Sequence, residues 1–297
     1  MKNKNRRSEI LTAYFMLLPN LILFLVFLFF SIGYAFFVSL HDWNGISSMK
    51  FVKFHNYVSL LSDDKFWHSL WVTLKYTLVY VPSVYVIALA LALMVNAVKG
   101  FYHRLLRTVF FLPFAVSSVV AGLTWSFMYD PKRGYFNQIL NMFGIGNQSF
   151  LASMDQALYA VAAVGIWLVV GYNMIIFLTA LKDIPKSYFE AAEIDGANSF
   201  VKFFRITLPS IKNISVFVLI VTTIGSFQVF DQIKVMTGGG PAQATNVSVY
   251  YIYQQAFELN KIGYATAVSF ILFLVILLFS MVQFKFYSLQ DEDGRKS

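Results

Sequence analysis

The sequence predicts an all-α integral membrane protein with six transmembrane helices, on three observations. The 297 residues are 58% hydrophobic and only 13% charged, too few charges to cover a soluble domain. The apolar residues fall into long blocks instead of the short periodic segments of one large core. Lys and Arg gather on alternate sides of those blocks, as in multi-pass proteins.

The blocks cover 12–40, 69–98, 105–129, 157–181, 208–233 and 263–287. Each reaches or exceeds the ~20 residues needed to cross ~30 Å of hydrocarbon. Helix is the expected state, because an isolated strand cannot satisfy its backbone in lipid. The first block is far longer than a signal-peptide core and lacks a small-x-small cleavage site, so it is expected to be retained as an anchor.

Orientation follows from the basic residues. With the N-terminus inside, the inner segments hold Lys2, Lys4, Arg6, Arg7, Lys99, Arg104, Arg107, Lys182, Lys186, Lys202, Arg205, Lys212, Lys285, Arg295 and Lys296. The outer segments hold Lys50, Lys53, Lys65, Lys132, Arg133, Lys234 and Lys261. The bias predicts both termini in the cytoplasm. No repeat, low-complexity tract or soluble insertion interrupts the pattern, so 1–297 reads as a single transmembrane domain. Trp43, Tyr57, Trp67, Tyr129 and Tyr135 fall near the outer boundaries, where an interfacial aromatic belt is expected.

Several function classes are excluded. The net charge of +8 comes from residues flanking apolar blocks and not from one basic stripe, which argues against nucleic acid as a partner. Cysteine is absent, so there is no disulfide or thiolate chemistry. No phosphate-binding loop is present, since Gly238–Gly240 lacks the following Lys. His41, His55, His68 and His103 lack metal-ligand spacing, so no metal or catalytic centre is expected. Energy for uphill transport must then come from a partner or an ion gradient.

The most informative stretch is the charged island Glu190-Ala191-Ala192-Glu193-Ile194-Asp195-Gly196-Ala197 between the fourth and fifth blocks. Ser187 and Glu190 have the spacing of a capping box at a helix start. Gly196 suits a left-handed helix end. Asn198 or Ser199 can cap a second short helix, and Leu208-Pro209 is expected to stop it and open the next block. The pattern predicts a rigid helical elbow at the membrane surface, shaped to dock another protein.

Together with the residues around it, this island resembles the permease subunits of ATP-binding-cassette importers. Glu190-Ala191-Ala192, Gly196, Ile206, Leu208 and Pro209 match that family's cytoplasmic signature in order and spacing. Leu181-Lys182-Asp183-Ile184-Pro185, Arg107-Thr108-Val109-Phe110-Phe111-Leu112-Pro113 and Thr237-Gly238-Gly239-Gly240-Pro241 are similar to the carbohydrate-uptake branch. A Lys182-Asp183 pair stands where that branch usually has Gln.

The resemblance implies a complex. A second related permease would complete the path. Two ATPase subunits would carry ATP and magnesium, and an extracytoplasmic sugar-binding protein would deliver the substrate. This chain would bind no cofactor and catalyse no reaction. Its coupling loop would span 182–209, with the elbow at 187–206. Glu190, Ala191, Ala192, Asp195, Gly196 and Ala197 would contact an ATPase.

Sugar binding needs polar groups and aromatic faces shielded from lipid. The fifth block offers Ser226, Phe227, Gln228, Phe230, Asp231 and Gln232; the family's sugar-contacting stretch aligns near Phe227–Asp231. The same groups equally suit polar packing between helices. Tyr172, Asn173 and Trp167 in the fourth block, and Ser117, Ser118, Thr124 and Trp125 in the third, are further candidates. Lys75 either pairs with Asp231 or extends to the outer interface. Pro82 and Pro113 are expected to kink their helices. An oligosaccharide is favoured over glycerol phosphate, which would need a cationic path. The competing classes, a stand-alone ion-coupled transporter and a membrane enzyme, lack an ionisable relay and a catalytic constellation respectively.

Overall fold

A computed structural model describes residues 2–294, with side chains described for 12–285. Of the residues counted for orientation, Arg295 and Lys296 lie outside the described residues. Lys2, Lys4, Arg6 and Arg7 are described in backbone only. Among the described residues, five helices are long and apolar enough to cross a membrane, and a sixth candidate is a bent pair.

The chain divides into two compact units. One holds the described residues up to Asp63 together with Ile252–Phe273; the other holds Asp64–Tyr251 and the described residues from Leu274.

In the first unit, α1 (Lys2–Leu23) passes through a π-helical turn at Phe24–Phe29 into α2 (Phe30–Ser39). Its apolar side chains are almost all exposed, as lipid solvation permits. The chain then turns into a two-residue antiparallel ladder, β1 (His41–Asp42) on β2 (Lys50–Phe51). Asn56, in α3 (His55–Leu61), is buried and donates to the carbonyls of Ser39 (2.8 Å) and His41 (3.0 Å). That satisfies backbone acceptors beyond the helix end. The Asn44 carboxamide oxygen accepts from the Ile46 and Ser47 amides and closes the intervening turn.

The second unit is built on α4 (Asp64–Ala97) and α8 (Ala157–Lys182). Ala88 and Ala92 of α4 are fully buried and four apart, so α8 can approach closely. Leu89 and Val95 pack there with Met174, Phe177, Leu178 and Leu181 of α8. Pro82 lies inside α4 without ending it.

The third predicted block is not one straight helix. α5 (Gly100–Phe111) tightens into a 3-10 turn at Leu112–Ala115, the chain extends at Val116 and Ser117, and α6 (Ser118–Met128) leaves at 97°. Pro113 has no amide to donate back to Val109, which interrupts the α-helical ladder at this turn, and the bend itself falls at the extended Val116 and Ser117. At this bend the main chain of Phe110 lies against Gly171 of α8. A Cβ added at Gly171 would stand 1.8 Å from the Phe110 carbonyl oxygen.

Tyr129 is a second departure. Instead of anchoring at an interface it is buried among Trp125, Phe136 and Phe150. Beyond it, Asp130 accepts from the Lys132 and Arg133 amides (2.9 and 2.7 Å), which hold its carboxyl below the usual carboxylate range. This turn leads into α7 (Tyr135–Met142).

The fifth block is also interrupted. α12 (Lys212–Phe227) ends at Gln228, and α13 (Asp231–Met236) restarts after the non-helical Phe230. Hydroxyl pairs tie α12 to α4 at two levels, Ser226 to Thr77 (2.9 Å) and Tyr85 to Ser215 (3.0 Å). α14 (Ser248–Tyr253) is capped from another helix, the Ser248 amide donating to the Thr73 hydroxyl of α4 at 2.8 Å. The last helix, α15 (Ile262–Gly294), belongs to both units; within the second, Gln283 donates to Thr223 of α12 (2.9 Å).

Candidate functional site

Two places in the second unit carry functional character: the elbow between α8 and α12, and a cavity at the α12–α13 break.

The elbow begins at α9 (Lys186–Ile194). The expected capping box does not form. Pro185 is the cap residue, with ψ 130°, and no side chain caps the helix. Because Pro185 suits this boundary, the helix starts two residues earlier than the Ser187–Glu190 spacing implies. Ser187 and Glu190 therefore lie inside the helix.

The other end is as expected. Gly196 has φ +75°, its amide donates to Glu193 (3.1 Å), and the Ala197 amide reaches Ala192 (2.8 Å). These are the two bonds of a Schellman end. Asn198 then caps α10 (Ser199–Lys202), accepting from the Val201 amide at 2.9 Å. Asn198→Ala should cost about 1 kcal/mol, read as faster hydrogen exchange at Val201. Unchanged exchange would remove the cap from this account.

Lys202 crosses the elbow to Glu193 at 2.8 Å. An exposed pair is worth at most about 1 kcal/mol, so it trims the angle and the Gly196 turn sets it. Pro209 does not stop the chain's helical course. A π-helical turn at Phe203–Thr207 runs into the single turn α11 (Leu208–Ser210), and the break falls at Ile211. Pro209 follows the π-helical turn directly, as the second residue of α11.

Glu190, Ala191, Asp195 and Gly196 are exposed, and Ala192 and Ala197 half-buried. Tyr188, Ile194, Phe200 and Phe204 add exposed apolar surface beside them. Such a mixed apolar and acidic patch has the character of a contact surface.

The cavity is a half-open cleft of about 200 Å³. Tyr76 and Tyr80 of α4 form one wall, their rings stacked at 5.2 Å. Gln228, Phe230, Asp231 and Gln232 form the other, with Gly225 and Val229. The break makes this wall, because a continuous helix would not present 228 to 232 together. Asp231 accepts from the Ser118 hydroxyl of α6 at 2.5 Å. It is not paired with Lys75, whose ammonium lies over the Trp71 ring at 5.4 Å.

The structure separates the expected path residues. Gln228, Phe230 and Asp231 line the cavity together. Phe227 does not: it is the last residue of α12, wholly buried and facing Phe279 at 5.3 Å. Tyr172 stacks on Phe114 (4.6 Å). Asn173 is buried and donates to Val169 of its own helix (3.0 Å). Tyr76 and Tyr80 escaped the sequence reading, although two hydroxylated aromatics at i, i+4 in an apolar block were a usable signal.

Comparison with known proteins places the chain. Residues 84–288 match the family described as binding-protein-dependent transport system inner membrane component. The trehalose/maltose transport system permease protein MalF of Thermococcus litoralis is 34% identical over 96% of each chain. The sn-glycerol-3-phosphate transport system permease protein UgpA of Salmonella choleraesuis is 33% identical over 92% of each. A chain of a bacterial ABC transporter involved in import of the acidic polysaccharide alginate shares the fold. Its TM-score is 0.82 at 23% identity, covering 97% of this chain and 99% of that one. The chain described here is a multi-pass membrane protein that belongs to the family of binding-protein-dependent transport system inner membrane components.

Proposed function

We propose that this chain is a permease subunit of an ATP-driven sugar importer, forming half of a path for a carbohydrate. The elbow carries the proposal. An exposed, acidic, Schellman-ended helix pair joins two membrane-spanning helices in a chain with no phosphate-binding loop. A separate ATPase is then the motor. In this reading both termini and the elbow face the cytoplasm. A second related permease completes the path, two ATPase subunits bind ATP and magnesium, and an extracytoplasmic binding protein delivers the sugar.

Coupling requires a contiguous element with two arrangements. α8 leads through Lys182 and Pro185 directly into α9, and the elbow returns through α11 to α12, whose end walls the cavity. Glu190 bonds into the ATPase groove, and Ala191 and Ala192 allow close approach. The relative named for trehalose and maltose supports a neutral oligosaccharide. The relative named for sn-glycerol-3-phosphate supports the second reading, a phosphate ester.

The test is ATPase activity of the complex reconstituted with its partner subunits and binding protein, across oligosaccharides and sn-glycerol 3-phosphate. Stimulation by an oligosaccharide is expected. Stimulation by glycerol phosphate alone would favour the second reading. A chain that transports without any ATPase would refute the proposal.

A further inference from the structure

The cavity at the α12–α13 break has one charged group in its lining, the carboxylate of Asp231, and no Lys, Arg or His. Two cations lie nearby in sequence, and each is held on an aromatic ring outside the lining. Lys234 sits over Tyr250 at 5.5 Å and Lys75 over Trp71 at 5.4 Å.

Asp231 has a structural use at the start of α13, where a carboxylate favours the helix dipole. That use leaves its charge in the cavity. Among the described residues its hydrogen-bond partner is the neutral Ser118 hydroxyl, on Oδ2. The C-terminal end of the 16-residue α12 adds its partial negative charge at Gln228. Together these place a negative potential in a site walled by two stacked tyrosines. An aromatic wall offers no compensating positive charge to an anion.

We infer that Asp231 makes this cavity charge-selective, accepting neutral and amino sugars and rejecting uronic acids and phosphate esters. The inference rests on the carbohydrate reading above. An anionic substrate would bring a second negative charge beside the Asp231 carboxylate, with no cation in the lining to offset the repulsion. An ammonium group on a sugar would meet the Asp231 carboxylate.

The test is equilibrium dialysis of the purified complex, without its binding protein, against three labelled trisaccharides of matched size. These are maltotriose, the trimer of glucosamine, and trigalacturonate. The wild type should bind the uronate at least about tenfold more weakly than maltotriose, and the amine most tightly. Asp231→Asn, which can still accept from Ser118, should bring the three within about threefold of one another. Gln228→Lys leaves Asp231 and its Ser118 bond in place and adds a cation to the same wall. It should relax the exclusion of the uronate even where the Asn variant folds poorly. An unchanged order in either folded variant, with maltotriose still bound, would overturn the inference and leave the importer reading standing. A wild-type complex that binds no trisaccharide, and whose ATPase ignores sugar-loaded binding protein, would overturn both.

Discussion

Gly196→Pro should abolish ATP-driven uptake while the protein still reaches the membrane. Gly196 sits at φ +75° and its amide donates to Glu193. Proline is locked near φ −65° and has no amide hydrogen, so the Schellman end is lost and α10 leaves in another direction. Gly196→Ala separates the two causes. A Cβ there meets nothing within 4 Å, so only the left-handed backbone is penalised, by about 1–2 kcal/mol. Uptake should fall only partly. Glu190→Lys reverses charge on the exposed face without touching the turn, and should stop uptake with the elbow intact. Uptake assays in vesicles, normalised to membrane content, measure all three. Wild-type uptake by Gly196→Pro and Glu190→Lys would refute the role given to the elbow.

Gly171→Val should prevent stable folding. An added Cβ would lie 1.8 Å from the Phe110 carbonyl oxygen, 2.5 Å from its carbon and 2.9 Å from the Phe111 Cα. Every one of these atoms is main chain, so no side chain can rotate away. Overpacking of a core usually costs about 1–3 kcal/mol. Here two backbones must separate, and the loss should exceed the upper end of that range. The measurement is yield in the membrane and thermal unfolding in detergent. Gly33→Ala is the control: its Cβ meets nothing within 4 Å, and alanine in a helix interior gains up to about 1 kcal/mol over glycine. A Gly171→Val protein with wild-type Tm would show that the helices part freely.

The long helices were legible because hydropathy reports length in lipid directly. Blocks at 157–181 and 263–287 correspond to Ala157–Lys182 and Ile262–Lys285. The bends were not legible, because an apolar block reads the same whether straight or folded at 97°. Pro113 pointed to a kink, but not to the extended pair Val116–Ser117 that makes the bend so sharp.

At the elbow, Gly196 and Asn198 were readable because each has a local conformational reason. The Ser187–Glu190 spacing misled, because Pro185 had a stronger claim on the same boundary. In the membrane, composition located Gln228, Phe230 and Asp231. It could not show that Phe227 turns away, nor that Tyr76 and Tyr80 lie opposite, since both depend on how α12 ends and what α4 presents to it.

The main-chain contact at Gly171 also divides α8 into two arms. Gly171 stands 11 residues before Lys182 and 14 after Ala157. At 1.5 Å per residue, about 17 Å of helix lies on the elbow side and about 21 Å on the other. A rigid tilt of α8 about this contact would carry its two ends in opposite directions, about 1.3 Å at the far end for each 1 Å at the elbow end, by the ratio of those arms.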